Sequence, residues 1–219
     1  EIGPYPERRD AEAKAAVEAA GARWRLFPDA LLVEPDVLAS DAGDPYTVFT
    51  PFAKKWMAAE KRLPEPPPAA LDTPPLRSVP LAKVRAWKNS PATPGSPKSG
   101  EAEALALLRR FFEEAVSRYA DDRDRPGLAG TSRLSPHLHF GTISPRTVRA
   151  AAEQPWEASP PGRREHVRKY ILELAWREFF HHVLFHFPRV AAGSFRPQFD
   201  RLRWRENPAG LDAWKRGAT

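Results

Sequence analysis

Apolar residues recur at helical spacing through most of this chain, and the interruptions fall at recognisable start and stop signals. Residues 7–20 are Ala-rich with interspersed Glu and Lys and stop at Gly21, which predicts a helix. Residues 24–27 and 31–33 are short apolar runs, readable as strands or as buried turns. Leu105, Leu108, Phe111, Phe112, Ala115, Val116 and Tyr119 repeat on one helical face. Ser135-Pro136 and Ser144-Pro145 each pair an N-cap residue with Pro at the first helical position. The first of these helices is closed by Gly141, and the second continues through Val148 and Ala151. Residues 164–187 predict one long helix ended by Pro188, and Asn207-Pro208 starts a last helix through Leu211 and Trp214 to Gly217. No internal repeat is present.

Between these helical regions the pattern breaks. Ten prolines fall within residues 62–97, a density that forbids long helices and favours an extended connector. Leu71, Leu76, Val79, Leu81, Val84 and Trp87 in the same stretch suggest that it packs along a protein surface. The chain therefore divides into 1–61, resembling the tail of an α/β unit, a Pro-rich connector at 62–98, and an all-helical region at 99–219. The fold class is mainly α. One helix with short strands cannot close a sheet, so residues 1–61 read as incomplete by themselves.

Composition narrows the function. The 219 residues contain no Cys, which excludes a disulfide framework, a thiolate metal site and a Cys nucleophile. With 42% hydrophobic and 11% aromatic residues the chain is too rich for disorder. No apolar run approaches the roughly 18 residues that span a bilayer, and the opening residues lack a signal-peptide pattern. The expectation is a soluble cytoplasmic protein, monomeric and without membrane contact. The net charge of +6 is unevenly spread: residues 1–100 contribute +1, residues 101–162 contribute −1, and residues 163–219 contribute +6. Arg201-Leu202-Arg203-Trp204-Arg205 typifies the last stretch. Arg interleaved with aromatics suits phosphate contacts and base stacking, and equally a solvated Arg-rich surface.

Two segments carry candidate chemistry. Gly130-Thr131-Ser132-Arg133-Leu134-Ser135-Pro136 gathers hydroxyls, backbone N–H groups, a guanidinium and a helix start, a set that suits an anion such as a phosphate. It lacks the glycines and Lys of a Walker loop, and an ordinary cap beside a surface Arg is the alternative. On the long helix, at about 100° per residue, His166, Lys169, Glu173, Trp176, Arg177 and Phe180 share one stripe, while Val167, Ile171 and Leu174 form the core face. A carboxylate, a large ring and a guanidinium on one stripe suit a pocket that stacks a flat ligand and hydrogen-bonds its edge. An intrahelical Glu173–Arg177 pair beside a half-buried Trp176 is the plainer alternative. His137, His139, His181, His182 and His186 show no complete ligand set, so no metal is expected.

Three motifs make the chain resemble the DNA photolyase/cryptochrome family. The first is Arg123-Asp124 followed by Gly130-Thr131-Ser132-Arg133-Leu134-Ser135-Pro136-His137-Leu138-His139-Phe140-Gly141 and Ile143-Ser144-Pro145-Arg146. The second is Glu173-Leu174-Ala175-Trp176-Arg177-Glu178-Phe179. The third is Tyr46-Thr47-Val48-Phe49-Thr50-Pro51-Phe52 with Trp56. They occur in the family's order. The resemblance implies a Rossmann-like α/β antenna domain, a wrapping connector and a helical FAD-binding domain, here represented by its first half. It implies light-driven repair of cyclobutane pyrimidine dimers in DNA by electron transfer from reduced FAD, most like a class I deoxyribodipyrimidine photo-lyase. A folate or deazaflavin antenna chromophore accompanies FAD in such proteins.

Position by position, the resemblance marks Tyr119, Thr131, Ser132, Arg133, Leu134, Ser135 and Arg177 as FAD-pocket residues and Arg123 as a DNA-backbone contact. Glu173 corresponds to the carboxyl that meets the lesion base, Trp176 to the ring that packs on the dimer, and Trp204 to the outermost tryptophan of a photoreduction chain. Compared with the family, the first strands of the α/β domain and the second half of the flavin domain are missing. The expectation is a fragment that holds FAD weakly or not at all and repairs nothing alone. A cryptochrome-type photoreceptor and a plain basic nucleic-acid-binding module are the competing readings. Trp176 with Glu173 favours repair over signalling, and residues 131–135 speak against the plain module.

Overall fold

The protein is described here by a computed structural model covering residues 4–26, 30–66, 69–70 and 98–218. The apolar residues of the connector between 71 and 97, and Phe27, lie outside the described residues. The chain forms two compact units, Arg25–Phe179 and the combination of Glu1–Trp24 with Phe180–Thr219. Every regular element among the described residues is helical. The single strand-type pairing among them is an isolated antiparallel bridge between Ala39 and Pro45.

The described residues of 1–61 hold two α-helices, α1 (Pro4–Ala19) and α2 (Phe49–Ala58), and a 3₁₀ turn at Pro35–Val37, with no sheet among them. Residues 31–33 are the buried-turn alternative. Leu31, Leu32 and Val33 are buried, but their amides meet a side chain instead of a neighbouring strand. Leu32 N–H and Val33 N–H donate to the two carboxylate oxygens of Glu178 at 2.5 and 3.1 Å. Buried amides need acceptors, and a carboxylate with two oxygens supplies them where no strand does.

In the larger unit, α2 buries Phe52, Ala53 and Trp56 on one face. Lys61 Nζ returns to the end of this helix, donating to the carbonyls of Trp56 and Ala59 and lying 4.3 Å from the centroid of the Trp56 ring. Burial pulls that ammonium down to about 8. The next helix, α3 (Glu101–Arg110), opens with Glu101 and Glu103 and ends with Arg109 and Arg110, matching its dipole.

The helical repeat from Leu105 to Tyr119 is present and is wound in more than one way. A π-helical turn (Phe111–Ala115) and a 3₁₀ turn (Val116–Arg118) precede α4 (Tyr119–Asp122). Strides of five and then three residues bring Phe111, Val116 and Tyr119 into one buried row. Three more helices follow: α5 (Ser135–His139), α6 (Pro145–Ala158) and α7 (Pro161–His186). Ser144 caps α6 as expected, its hydroxyl accepting from Arg146 N–H at 3.2 Å. The core face of α7 is Val167, Ile171 and Leu174 as read from the sequence, widened by Tyr170, Ala175, Glu178 and Phe179.

The smaller unit shows sharply terminated helices. Gly21 takes φ +74° after α1, with Gly21 N–H on the Glu18 carbonyl and Ala22 N–H on that of Val17, a Schellman end. α8 (Pro208–Lys215) is capped by the Asn207 side chain, which accepts from Gly210 N–H at 3.0 Å. Between Pro188 and α8, Arg189 pairs with Asp200 at 2.5 Å, and Asp200 also accepts from Ser194 N–H at 2.7 Å. Trp204 stands 84% exposed in this unit.

Candidate functional site

The 129–135 loop is shaped by one close approach. A Cβ on Gly130 would lie 2.6 Å from Asp122 Cβ and 3.2 Å from the Asp122 carbonyl atoms. Gly130→Ala is therefore expected to displace the loop and destabilise the larger unit by about 1–3 kcal/mol, read as a lower urea midpoint and faster proteolysis at residues 128–133. Beyond Gly130, Arg133 adopts φ +55°, the sole non-Gly residue in the left-handed region among the described residues. The backbone turn aims Thr131, Ser132 and Arg133 at a hollow of ≈ 390 Å³ that Arg110, Arg118, Glu114 and Asp122 also line. Asp122 pairs with Arg118 at 3.3 Å. Hydroxyls with three guanidiniums against two carboxylates leave the wall cationic, a donor set suited to a phosphate group.

Two expectations at this loop change. Ser135 is not the N-cap of α5. Leu134, 1% exposed, takes that position without a side-chain cap, and its carbonyl accepts from Leu138 N–H at 2.8 Å. Ser135 is thus the first helical residue and Pro136 the second. The helix is five residues long, so its end adds little dipole to the hollow. Ser132 is tied to α7 by a hydrogen bond with the Tyr170 hydroxyl, whose ionisation burial pushes strongly upward.

Tyr119, Arg123 and Glu173 meet in one cluster. Arg123 pairs with Glu173 through Nη1, and its guanidinium lies 5.7 Å from the centroid of the Tyr119 ring. The two charged side chains are 24% and 31% exposed, so the pair is partly screened. Tyr119 sits edge-on to Phe111 and Tyr170 at 5.6 and 5.3 Å. Burial, then the charge of Glu173, pushes its phenol up to about 12, which keeps it protonated. His166 fixes α4 on α7, its Nδ1 accepting from Ala120 N–H at 3.1 Å. The intrahelical Glu173–Arg177 alternative is not what forms. Glu173 turns to Arg123, and Arg177 Nη1 donates to the Ala30 carbonyl at 2.7 Å.

Trp176 is half-buried and stacks face to face on Phe49, the first residue of α2, with ring centroids 3.5 Å apart and planes 8° from parallel. Phe179 closes the group edge-on to both, 5.7 Å from each. Two residues beyond Trp176, Glu178 is 2% exposed and accepts three N–H donors, from Leu32, Val33 and Trp56 Nε1. Burial raises its carboxyl above the usual range against the pull of these donors and Arg177.

The structure thus gathers Tyr119, Arg123 and Glu173, sets Thr131, Ser132 and Arg133 on the hollow, and buries Leu134. Trp204 belongs to the other compact unit. Phe49, Tyr170 and Glu178 carry geometry that the sequence reading left unassigned; Glu178 alone had a signal, an acid continuing the 167–171–174 core row. Among the described residues no group of three or more His, Asp and Glu is placed to hold a metal ion, and no helix is long and apolar enough to cross a membrane.

These features belong to a recognisable class. The chain superposes on a bacterial class III photolyase from Agrobacterium tumefaciens with a TM-score of 0.81 and 32% identity, covering 98% of this chain and 45% of that one. It shares its fold with the Synechocystis sp. PCC6803 cryptochrome, with a TM-score of 0.65 at 21% identity and coverage of 93% of this chain and 44% of that one. A deoxyribodipyrimidine photo-lyase of Halobacterium salinarum is 42% identical over 217 residues, 96% of this chain and 45% of its own length. Family models described as DNA photolyase and as the FAD binding domain of DNA photolyase match residues 1–72 and 170–219. The chain belongs to the DNA photolyase/cryptochrome family. It spans about half the length of the curated relatives it matches.

Proposed function

We propose that this chain supplies part of the flavin- and lesion-binding machinery of a deoxyribodipyrimidine photo-lyase, acting by light on cyclobutane pyrimidine dimers in DNA. The observation that carries this reading is the Arg123–Glu173 pair, with Trp176 one turn further along α7. A cation for the DNA backbone, a carboxylate for a base edge and a large ring for a base face are what recognition of an extruded pyrimidine pair requires. In this reading residues 1–61 belong to an antenna domain with a folate- or deazaflavin-type chromophore, 62–98 connect, and 99–219 begin the FAD-binding domain.

Bound FAD would supply the light-excited electron donor. The donor set of Thr131, Ser132, Arg133, Arg110 and Arg118 fits its diphosphate, and Tyr119, kept protonated, remains a hydrogen-bond donor beside the Arg123–Glu173 pair. Leu134 shapes the loop from beneath, Ser135 stands exposed at the start of α5, and Arg177 stiffens α7 through Ala30. The exposure of Trp204 suits the outer end of an electron relay. The expected class I assignment stands beside the class III name of the Agrobacterium relative as a finer division of the same reading.

The test uses the product of the complete reading frame that contains this chain. Reconstituted with FAD and illuminated, it is expected to remove dimers from UV-irradiated oligothymidylate, with none removed in the dark or without flavin. A protein that photoreduces its flavin and leaves dimers intact would be a photoreceptor, and one indifferent to flavin would be a plain nucleic-acid-binding module.

A further inference from the structure

We propose that Phe49 is a positioning residue for Trp176. It backs one face of the indole so that a pyrimidine base reaches this ring only from the side turned away from α2. The inference deepens the reading of Trp176 as the ring that meets the dimer and rests on it. With ring centroids 3.5 Å apart and planes within 8°, the two rings are in van der Waals contact over their faces. A flat group inserted between them would need about 3.5 Å of its own. That face of Trp176 is therefore closed to a base.

The stack is imposed by its surroundings. Left to themselves, aromatic pairs prefer offset or edge-to-face arrangements over a near-eclipsed sandwich. Here the two helices bearing the rings are pinned close by. Phe52 and Trp56 are fully buried on α2. Trp56 Nε1 donates to Glu178 at 2.6 Å, and Glu178 lies two residues from Trp176 on α7. Phe179, itself buried, stands edge-on to both rings and packs on Phe52 at 5.2 Å. Phe49 is thus held by an anchored helix and acts as a fixed back wall for the indole.

Two substitutions separate this role from packing. Phe49→Leu keeps apolar volume and loses the flat face; Phe49→Tyr keeps the face. In the complete protein, Phe49→Leu is expected to weaken binding of a dimer-containing oligonucleotide about tenfold, with Phe49→Tyr restoring it to within about twofold of wild type. With 5-fluorotryptophan incorporated, the ¹⁹F resonance that disappears in Trp176→Phe is expected to shift in Phe49→Leu and to hold its place in Phe49→Tyr. Retained dimer affinity in Phe49→Leu overturns the role of Phe49 alone. So does a loss that Phe49→Tyr fails to rescue, which would mark a structural defect. Absence of any dimer preference in the wild-type protein overturns the reading of Trp176 and this role with it.

Discussion

Glu178→Ala is expected to lower the stability of the larger unit by about 3–5 kcal/mol, one of the two largest effects anticipated here. The side chain is 2% exposed and serves three buried donors: Leu32 N–H on one oxygen, and Val33 N–H with Trp56 Nε1 on the other. Removing it leaves all three without an acceptor. Glu178→Gln tests the chemistry at constant shape. An amide has one acceptor oxygen, so whichever way it flips its NH₂ faces at least one N–H, and the expected loss is about 1–3 kcal/mol. Urea denaturation followed by helical circular dichroism measures both, and a Gln variant as stable as wild type would remove the three-donor account.

The pH dependence has a definite sign. Burial raises the folded-state pKa of Glu178 above the ordinary carboxylate value. Its titration therefore contributes stability that is fully present below the ordinary pKa and is lost as pH rises through the raised one. In Glu178→Gln this component of the acid-range slope is expected to vanish.

The second large effect is on function. Glu173→Gln is expected to leave the urea midpoint nearly unchanged, because a pair 24% and 31% exposed contributes under about 1 kcal/mol. On the proposed reading of Glu173 as a lesion contact, dimer repair by the complete protein is expected to fall about 10- to 100-fold, the usual result of removing a charged hydrogen-bond partner from a recognition site. An internal check needs neither flavin nor light. Burial and then the charge of Glu173 hold the Tyr119 phenol up at about 12, so loss of that charge is expected to lower the midpoint of its phenolate absorbance titration. A lowered phenol midpoint with unchanged repair would confirm the cluster and remove Glu173 from the chemistry.

Helix ends were legible in the sequence because they are local. Gly21, Ser144-Pro145, Pro188 and Asn207-Pro208 act through their own φ restrictions and nearest amides, and each terminates or starts a helix where expected. The Val167–Ile171–Leu174 face was legible because periodicity reports burial directly. Partners chosen across the chain were not. Residues 31–33 have a strand-like composition, yet an acid 145 or more residues away takes their amides. Glu173 had two guanidiniums within reach, and the one adjacent on its own helix is drawn instead to the Ala30 carbonyl. Ser135 met every local rule for a cap, yet the buried Leu134 holds the cap position and Ser135 is the first helical residue. At the candidate site, residue types were readable; which of them touch depends on packing between distant segments.

The π-helical turn at Phe111–Ala115 has a consequence for how this chain can change in length. A turn of this kind holds one residue more than α-helical winding would, and the 3₁₀ turn behind it winds tighter by a comparable amount. The surplus is thus taken up within eight residues, between α3 and Tyr119, and the Phe111–Val116–Tyr119 row stays aligned. An insertion lodged here is absorbed where it enters, while the same insertion in the middle of α7 would turn every following side chain by about 100°. Among the described helices, residues 111–118 are accordingly a place where winding can change while the buried row stays aligned, whereas from Val167 to Glu178 the buried face fixes the register.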